Sequence, residues 1–118
     1  MPIGALQEIV FDCPNPEALA RFWQALIGGD VEVESDDWVV LDGDEEFGCF
    51  IRFQHSGDKK SGRNRVQFDI EVDDLATATD EVEQLGARKI GGVVDDGEGG
   101  SIQLMADPAG NEFNLISG

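Results

Sequence analysis

Four polar side chains stand at strand positions where hydrophobic alternation sets them apart from the apolar face: Glu8, Arg52, Gln67 and Asn114. Glu8 is a carboxylate that can hold a cation or, once desolvated, accept a proton. Arg52 is permanently charged and suits a carboxylate, while Gln67 and Asn114 bring neutral amides that both donate and accept. Trp38 and Phe50 lie in the same stretches and offer aromatic walls. Such a set binds more readily than it performs covalent chemistry. His55 is the only histidine and lies in a polar stretch. Cys13 and Cys49 are both expected in apolar strands, on the core faces, as buried free thiols. No Ser–His or Cys–His relay is therefore in reach.

The elements that must position these residues read as two copies of one plan. "EIVFDCPNPEALARFW" (8–23) and "QFDIEVDDLATATDEV" (67–82) each run from an alternating strand through a helix cap into an amphipathic helix. In the first copy, a strand at Leu6–Cys13 sets Ile9, Phe11 and Cys13 against Glu8, Val10 and Asp12. Asn15 caps the helix, with Pro16 at its first position. Leu19, Phe22, Trp23, Leu26 and Ile27 form a single stripe, and Gly28-Gly29 ends it. Strands follow at about 30–34, 37–42 and 47–54. In the second copy, a strand at 66–72 sets Val66, Phe68, Ile70 and Val72 against Gln67, Asp69 and Glu71. Asp74 caps a helix carrying Leu75, Ala78, Val82 and Leu85, and Gly86 stops it. Strands follow near 87–91, 101–106 and 111–116. The segment "GGVVDDGEGGS" reads as a flexible loop and a candidate lid. Residues 55–65, polar and bearing Lys59, Lys60, Arg63 and Arg65, read as a linker containing His55 at the surface.

The expected fold is α+β: one domain over 1–118, with module one at 5–54, linker 55–65 and module two at 66–117. Each module is βαβββ and holds too little sheet to close a core alone. Side by side, two modules form a curved, U-shaped mixed sheet with one helix per module on the outer face. The phases place Ile51, Phe53, Phe113 and Leu115 in the core. Phe50, Arg52, Gln54, Glu112, Asn114 and Ile116 lie opposite. If the sheet curves, the opposite faces line one hollow containing Glu8, Arg52, Gln67 and Asn114, walled by Val10, Phe50 and Trp38. Apolar surroundings with a few polar groups are the usual form of a small-molecule site.

Composition narrows the partners. The chain has 118 residues, 25 of them acidic and 8 basic, for a formal charge of −17. Such a surface repels phosphate backbones and anionic membranes, and it favours cations. Acidic residues crowd 30–46 with no base among them, as at a solvated sheet margin. No stretch approaches the roughly 18 apolar residues a spanning helix needs. The first residues lack the pattern of a cleaved leader. A cytoplasmic location is expected.

"CPNPEALARFWQALIGG", "DIEVDDLATATDEVEQLGA" and "ADPAGNEFNLI", in that order over nearly the whole chain, resemble the vicinal oxygen chelate superfamily of glyoxalase I, extradiol dioxygenases and fosfomycin and bleomycin resistance proteins. The chain looks closest to glyoxalase-like proteins of unassigned activity. The resemblance implies the two-module fold and a homodimer. In the superfamily's metal-dependent enzymes, His and Glu ligands come from the first, fourth, fifth and eighth strands. By resemblance those positions fall on Glu8, near Arg52, on Gln67 and on Asn114.

This set is a poor metal cage. The amides are weak donors and Arg52 is no ligand. At ~5 Å and an effective dielectric of ~20, a guanidinium repels a divalent ion by roughly 6–7 kcal/mol, about what one carboxylate returns. Direct pairing of Glu8 with Arg52 is expected instead, at a metal site whose cation is now an arginine. The expectation is a binding protein with no metal and no cofactor. It would hold a small aromatic or cationic molecule through Glu8, Trp38, Phe50, Arg52, Gln67 and Asn114. The alternative is a metal-dependent glyoxalase-like lyase or dioxygenase with an atypical site.

Overall fold

The alternating pattern at the start of each copy folds as a strand whose apolar side is covered by the helix that follows it. A computed structural model describes residues 3, 6–43, 48–57, 62 and 66–118. Contacts divide the chain into two compact units, Met1–Asp58 and Lys59–Gly118. The expected linker 55–65 contains that boundary, and most of it lies outside the described residues, as does the first residue of the strand expected at 47–54.

Module one contains β1 (Glu8–Cys13), α1 (Pro16–Ile27), β2 (Asp30–Ser35), β3 (Trp38–Asp42) and β4 (Phe50–His55). Its four-stranded sheet has the order β1-β4-β3-β2, with β1 and β4 parallel and the other pairs antiparallel. Asn15 caps α1 by accepting from the Ala18 amide at 3.3 Å, and Pro16 opens the helix. Leu19, Ala20, Phe22 and Trp23 are buried against the sheet. Phe11 meets Trp23 and Phe53 edge to face, with centroids 5.9 and 5.4 Å apart, so the core is an aromatic cluster with aliphatic Val39, Leu41 and Ile51 around it.

Module two contains β5 (Phe68–Glu71), α2 (Leu75–Gln84), β6 (Arg88–Lys89), β7 (Val94–Asp95), β8 (Ser101–Ala106) and β9 (Glu112–Ser117). Its five-stranded sheet follows the order β5-β9-β8-β6, with β7 also paired to β8. With β5 in the place of β1, β8 of β3 and β9 of β4, the topology of module one is repeated. Asp74 caps α2 by accepting from the Thr77 amide at 3.1 Å. The "ADPAGN" turn is wound around buried Asp107. Its Oδ1 accepts from the Ala109 and Asn111 amides, both at 2.9 Å, while Gly110 takes a φ of 89° that side chains avoid.

The expected elements shift in four places. The stripe on α2 runs through Leu75, Thr79 and Val82. Thr79 is buried because its hydroxyl donates to the Leu75 carbonyl at 2.7 Å, and Leu85, past the helix end, is exposed. Cys13 is a buried strand thiol, whereas Cys49 precedes β4 and is only partly buried. His55 ends β4 rather than starting a linker, and its amide donates to the Asp37 carbonyl. Segment 91–101 is no open loop. It forms β7 and a tight turn in which Asp96 Oδ1 accepts from the Glu98 and Gly100 amides at 2.7 and 2.9 Å.

The end of α1 gives a test of this packing. Gly28 and Gly29 both have positive φ, but a Cβ on Gly28 would meet open space, whereas one on Gly29 would lie 2.8 Å from the Asp42 carbonyl oxygen. Urea denaturation should show Gly28→Ala losing about 1 kcal/mol of stability and Gly29→Ala about 2–3 kcal/mol, since only the second adds a backbone collision to the strain.

Candidate functional site

Parallel pairing of β1 with β4 sets the register of the candidate residues. Glu8 lies opposite Phe50 and Val10 opposite Arg52. All four belong to the face turned away from α1, and Trp38 joins them because β3 places Val40 opposite Arg52 and Trp38 opposite Gln54. The strand carrying Arg52 thus has the phase expected, with Ile51 and Phe53 buried on the other side.

Arg52 organises this face. Its Nε donates to Glu8 Oε2 at 3.2 Å, and the two side chains keep only 22% and 28% exposure. The guanidinium carbon sits 4.8 Å from the centre of the Trp38 ring, within cation–π range. Trp38 and Phe50 nevertheless remain 48% and 41% exposed, while Val40 between them is buried. Next along the ladder, Gln54 Nε2 donates to Asp12 Oδ1 at 2.8 Å. The result is a polar ridge fixed by the ladder and flanked by open aromatic surface.

Module two builds the same contact in different chemistry. Asp69 lies opposite Asn114, as Val10 lies opposite Arg52, so Gln67 and Asn114 occupy the places of Glu8 and Arg52. Asn114 Nδ2 donates to Gln67 Oε1 at 3.2 Å and to Asp69 Oδ1 at 3.0 Å. Gln67 Nε2 is buried and has no partner among the described residues. Within module one, Arg52 contacts Glu8 and Trp38, and within module two Asn114 contacts Gln67.

Sequence reasoning left Asp69, Val40 and the Asp12–Gln54 pair outside the candidate set. Asp69, Asp12 and Gln54 lie on the polar phase of their strands, but their partnerships depend on which strands are neighbours, and alternation within one strand says nothing of that. The Glu8–Arg52 pair does not suit a divalent ion. The carboxylate oxygen that would ligate already faces a guanidinium at 3.2 Å, and the described residues hold no group of three or more His, Cys, Asp or Glu suited to a metal.

Known proteins resemble the chain in sequence pattern and in fold. A family model described as a glyoxalase-like domain matches residues 8–116. An enzyme of the glyoxalase/bleomycin resistance protein/dioxygenase family from Burkholderia phytofirmans superposes with a TM-score of 0.73 at 18% identity, over 97% of this chain and 98% of that one. A fosfomycin resistance protein from Mesorhizobium loti gives 0.70 at 16% identity, over 100% and 94%. The oxidase ChaP-H2 gives 0.71 at 15% identity, over 99% and 95%. At these identities the likeness is one of fold. No curated protein sequence matches the chain.

A double-mutant cycle of Glu8→Gln and Arg52→Met in urea denaturation should give a coupling of about 1 kcal/mol that shrinks in high salt. A coupling of zero would mean that the two charges are solvated separately.

Proposed function

The chain belongs to the glyoxalase-like domain family of the vicinal oxygen chelate superfamily, and from that premise we propose that it is a metal-free small-molecule-binding protein. Its guest is a small aromatic or cationic molecule held on the uncovered sheet face of module one by Glu8, Trp38, Phe50 and Arg52. In module two the corresponding candidates are the amides Gln67 and Asn114, bonded to each other. One observation carries the reading: Arg52, fixed by Glu8, lies over Trp38 while nearly half of Trp38 stays exposed. A side chain that large is left open at a cost in buried apolar area, and the open surface suits a flat guest that stacks. The formal charge of −17 favours a cation. The buried, unpartnered Gln67 Nε2 supplies a donor for an acceptor atom of a guest.

The similarity in fold to a fosfomycin resistance protein agrees with a role in handling small molecules. The alternative, a metal-dependent lyase or dioxygenase, draws on neighbours described as a dioxygenase-family enzyme and an oxidase. It would require Glu8 to exchange Arg52 for an ion. We also propose a homodimer, as the superfamily resemblance implies, to be checked by light scattering on the eluting protein. Among the described residues no helix is long and apolar enough to cross a membrane, and a cytoplasmic location stays part of the proposal.

Titration with 9-aminoacridine, a planar aromatic cation, should quench the exposed Trp38 saturably while buried Trp23 is spared. Trp38→Ala and Phe50→Ala should each weaken binding about tenfold, followed through the fluorescence of the probe. Affinity unchanged in both variants would refute the site. Stabilisation by zinc or nickel that disappears in Glu8→Gln would favour the alternative.

A further inference from the structure

On the helix side of the module-two sheet, away from Asn114, lies a cavity of about 420 Å³. It opens between α2, β8 and the segment that joins β6 to β7, and its volume falls in the range of small-molecule sites, about 300–1,000 Å³. Leu75, Ala76 and Val93 give it apolar walls. At its base is Gln103, only 2% exposed and set at a strand phase that otherwise carries core residues: it pairs with Leu115, and the next residue of that phase is Met105. Gln103 Nε2 donates to the carbonyls of Gly91 and Leu104, at 3.2 and 2.9 Å, which fixes the amide orientation. Its Oε1 accepts nothing from the described residues and remains as an anchored acceptor.

Two opposite charges line the same cavity. Lys89 projects from β6 and Asp80 from α2, and neither forms an ion pair among the described residues. Of the other described basic side chains, Arg21 pairs with Glu17 and Arg52 with Glu8, while Arg88, which does not line the cavity, forms no ion pair among the described residues. An unpaired ammonium and an unpaired carboxylate beside an apolar wall and a fixed acceptor are complementary to a dipolar guest. We propose that this cavity binds a small zwitterion of the amino-acid type with an apolar side chain. The guest carboxylate faces Lys89, its ammonium faces Asp80 and Gln103 Oε1, and its side chain packs on Leu75, Ala76 and Val93. The residues of this site all belong to module two, and none of them is a residue of the aromatic face of module one.

The test is an NMR titration of the full chain with L-phenylalanine, 3-phenylpropionate and phenethylamine, the last two each lacking one charge. L-Phenylalanine should shift the Gln103 side-chain amide and the Ala76 and Val93 backbone amides saturably, and each analogue should bind about tenfold more weakly. Lys89→Met should bring L-phenylalanine down to the affinity of phenethylamine. Arg88→Met should leave it at the wild-type value, because Arg88 lies on the opposite phase of β6 beside Ala106. The proposal is overturned if L-phenylalanine gives no saturable shift at Gln103 below about 10 mM. It is equally overturned if both analogues match L-phenylalanine, or if the two variants have the same effect.

Discussion

Parallel strands cannot be joined by a tight turn, so pairing β1 with β4, and β5 with β9, dictates the route of everything between them. In each module a helix crosses one face and the following strands return antiparallel until the last one meets the first. The crossing covers one side of the sheet and leaves the other without a helix. It also fixes which side chains become neighbours on the uncovered side. With Val10 opposite Arg52 and Asp69 opposite Asn114, the diagonal partners are Glu8–Arg52 and Gln67–Asn114, the same contact in both modules. Each is separated by more than forty residues of chain, and each follows from the ladder rather than from local sequence.

The shared position holds different chemistry. In module one it holds two full charges that are mostly withdrawn from water. Their pairing offsets part of the cost of withdrawing each charge from water. In module two it holds amides, and the Asn114 nitrogen is shared between Gln67 and Asp69. An amide pair tolerates the loss of a partner more easily than an ion pair, and one donor, Gln67 Nε2, is in fact left over. The same backbone contact thus carries different chemistry in the two modules, a charged ridge beside aromatic surface in one and hydrogen-bonded amides in the other.

The repeated plan was legible because each first strand is buried on one side only. Ile9, Phe11 and Cys13 could not exchange phase with Glu8, Val10 and Asp12 without exposing an apolar set, and the caps Asn15 and Asp74 mark where each helix begins. The Glu8–Arg52 pair was legible for a different reason: a lone guanidinium among polar groups on one phase needs an anion, and Glu8 was the carboxylate assigned to that set. What escaped was set by contacts rather than by pattern. Thr79 enters the core because its hydroxyl bonds within the helix, which makes a polar residue as good as apolar for burial. The glycine-rich 91–101 segment looks structureless by composition. Its aspartates accept from the turn amides and supply the order that its side chains could not supply by packing.

Strand β8 carries this limit furthest. In "SIQLMA" the aliphatic Ile102 and Leu104 alternate with Gln103 and Met105, and hydrophobicity alone would bury the first pair. The structure buries the second, because β9 sets Gln103 against Leu115 and Met105 against Phe113 on the helix side. A glutamine in a core phase needs bonds to compensate its lost hydration, and two backbone carbonyls provide them for the nitrogen alone. The residue lines the cavity beneath α2, and its amide oxygen accepts nothing from the described residues. A residue chosen only for the fold would fill that space with apolar volume. A polar group held rigidly at the base of an unfilled space is the kind of local exception to pattern that accompanies binding.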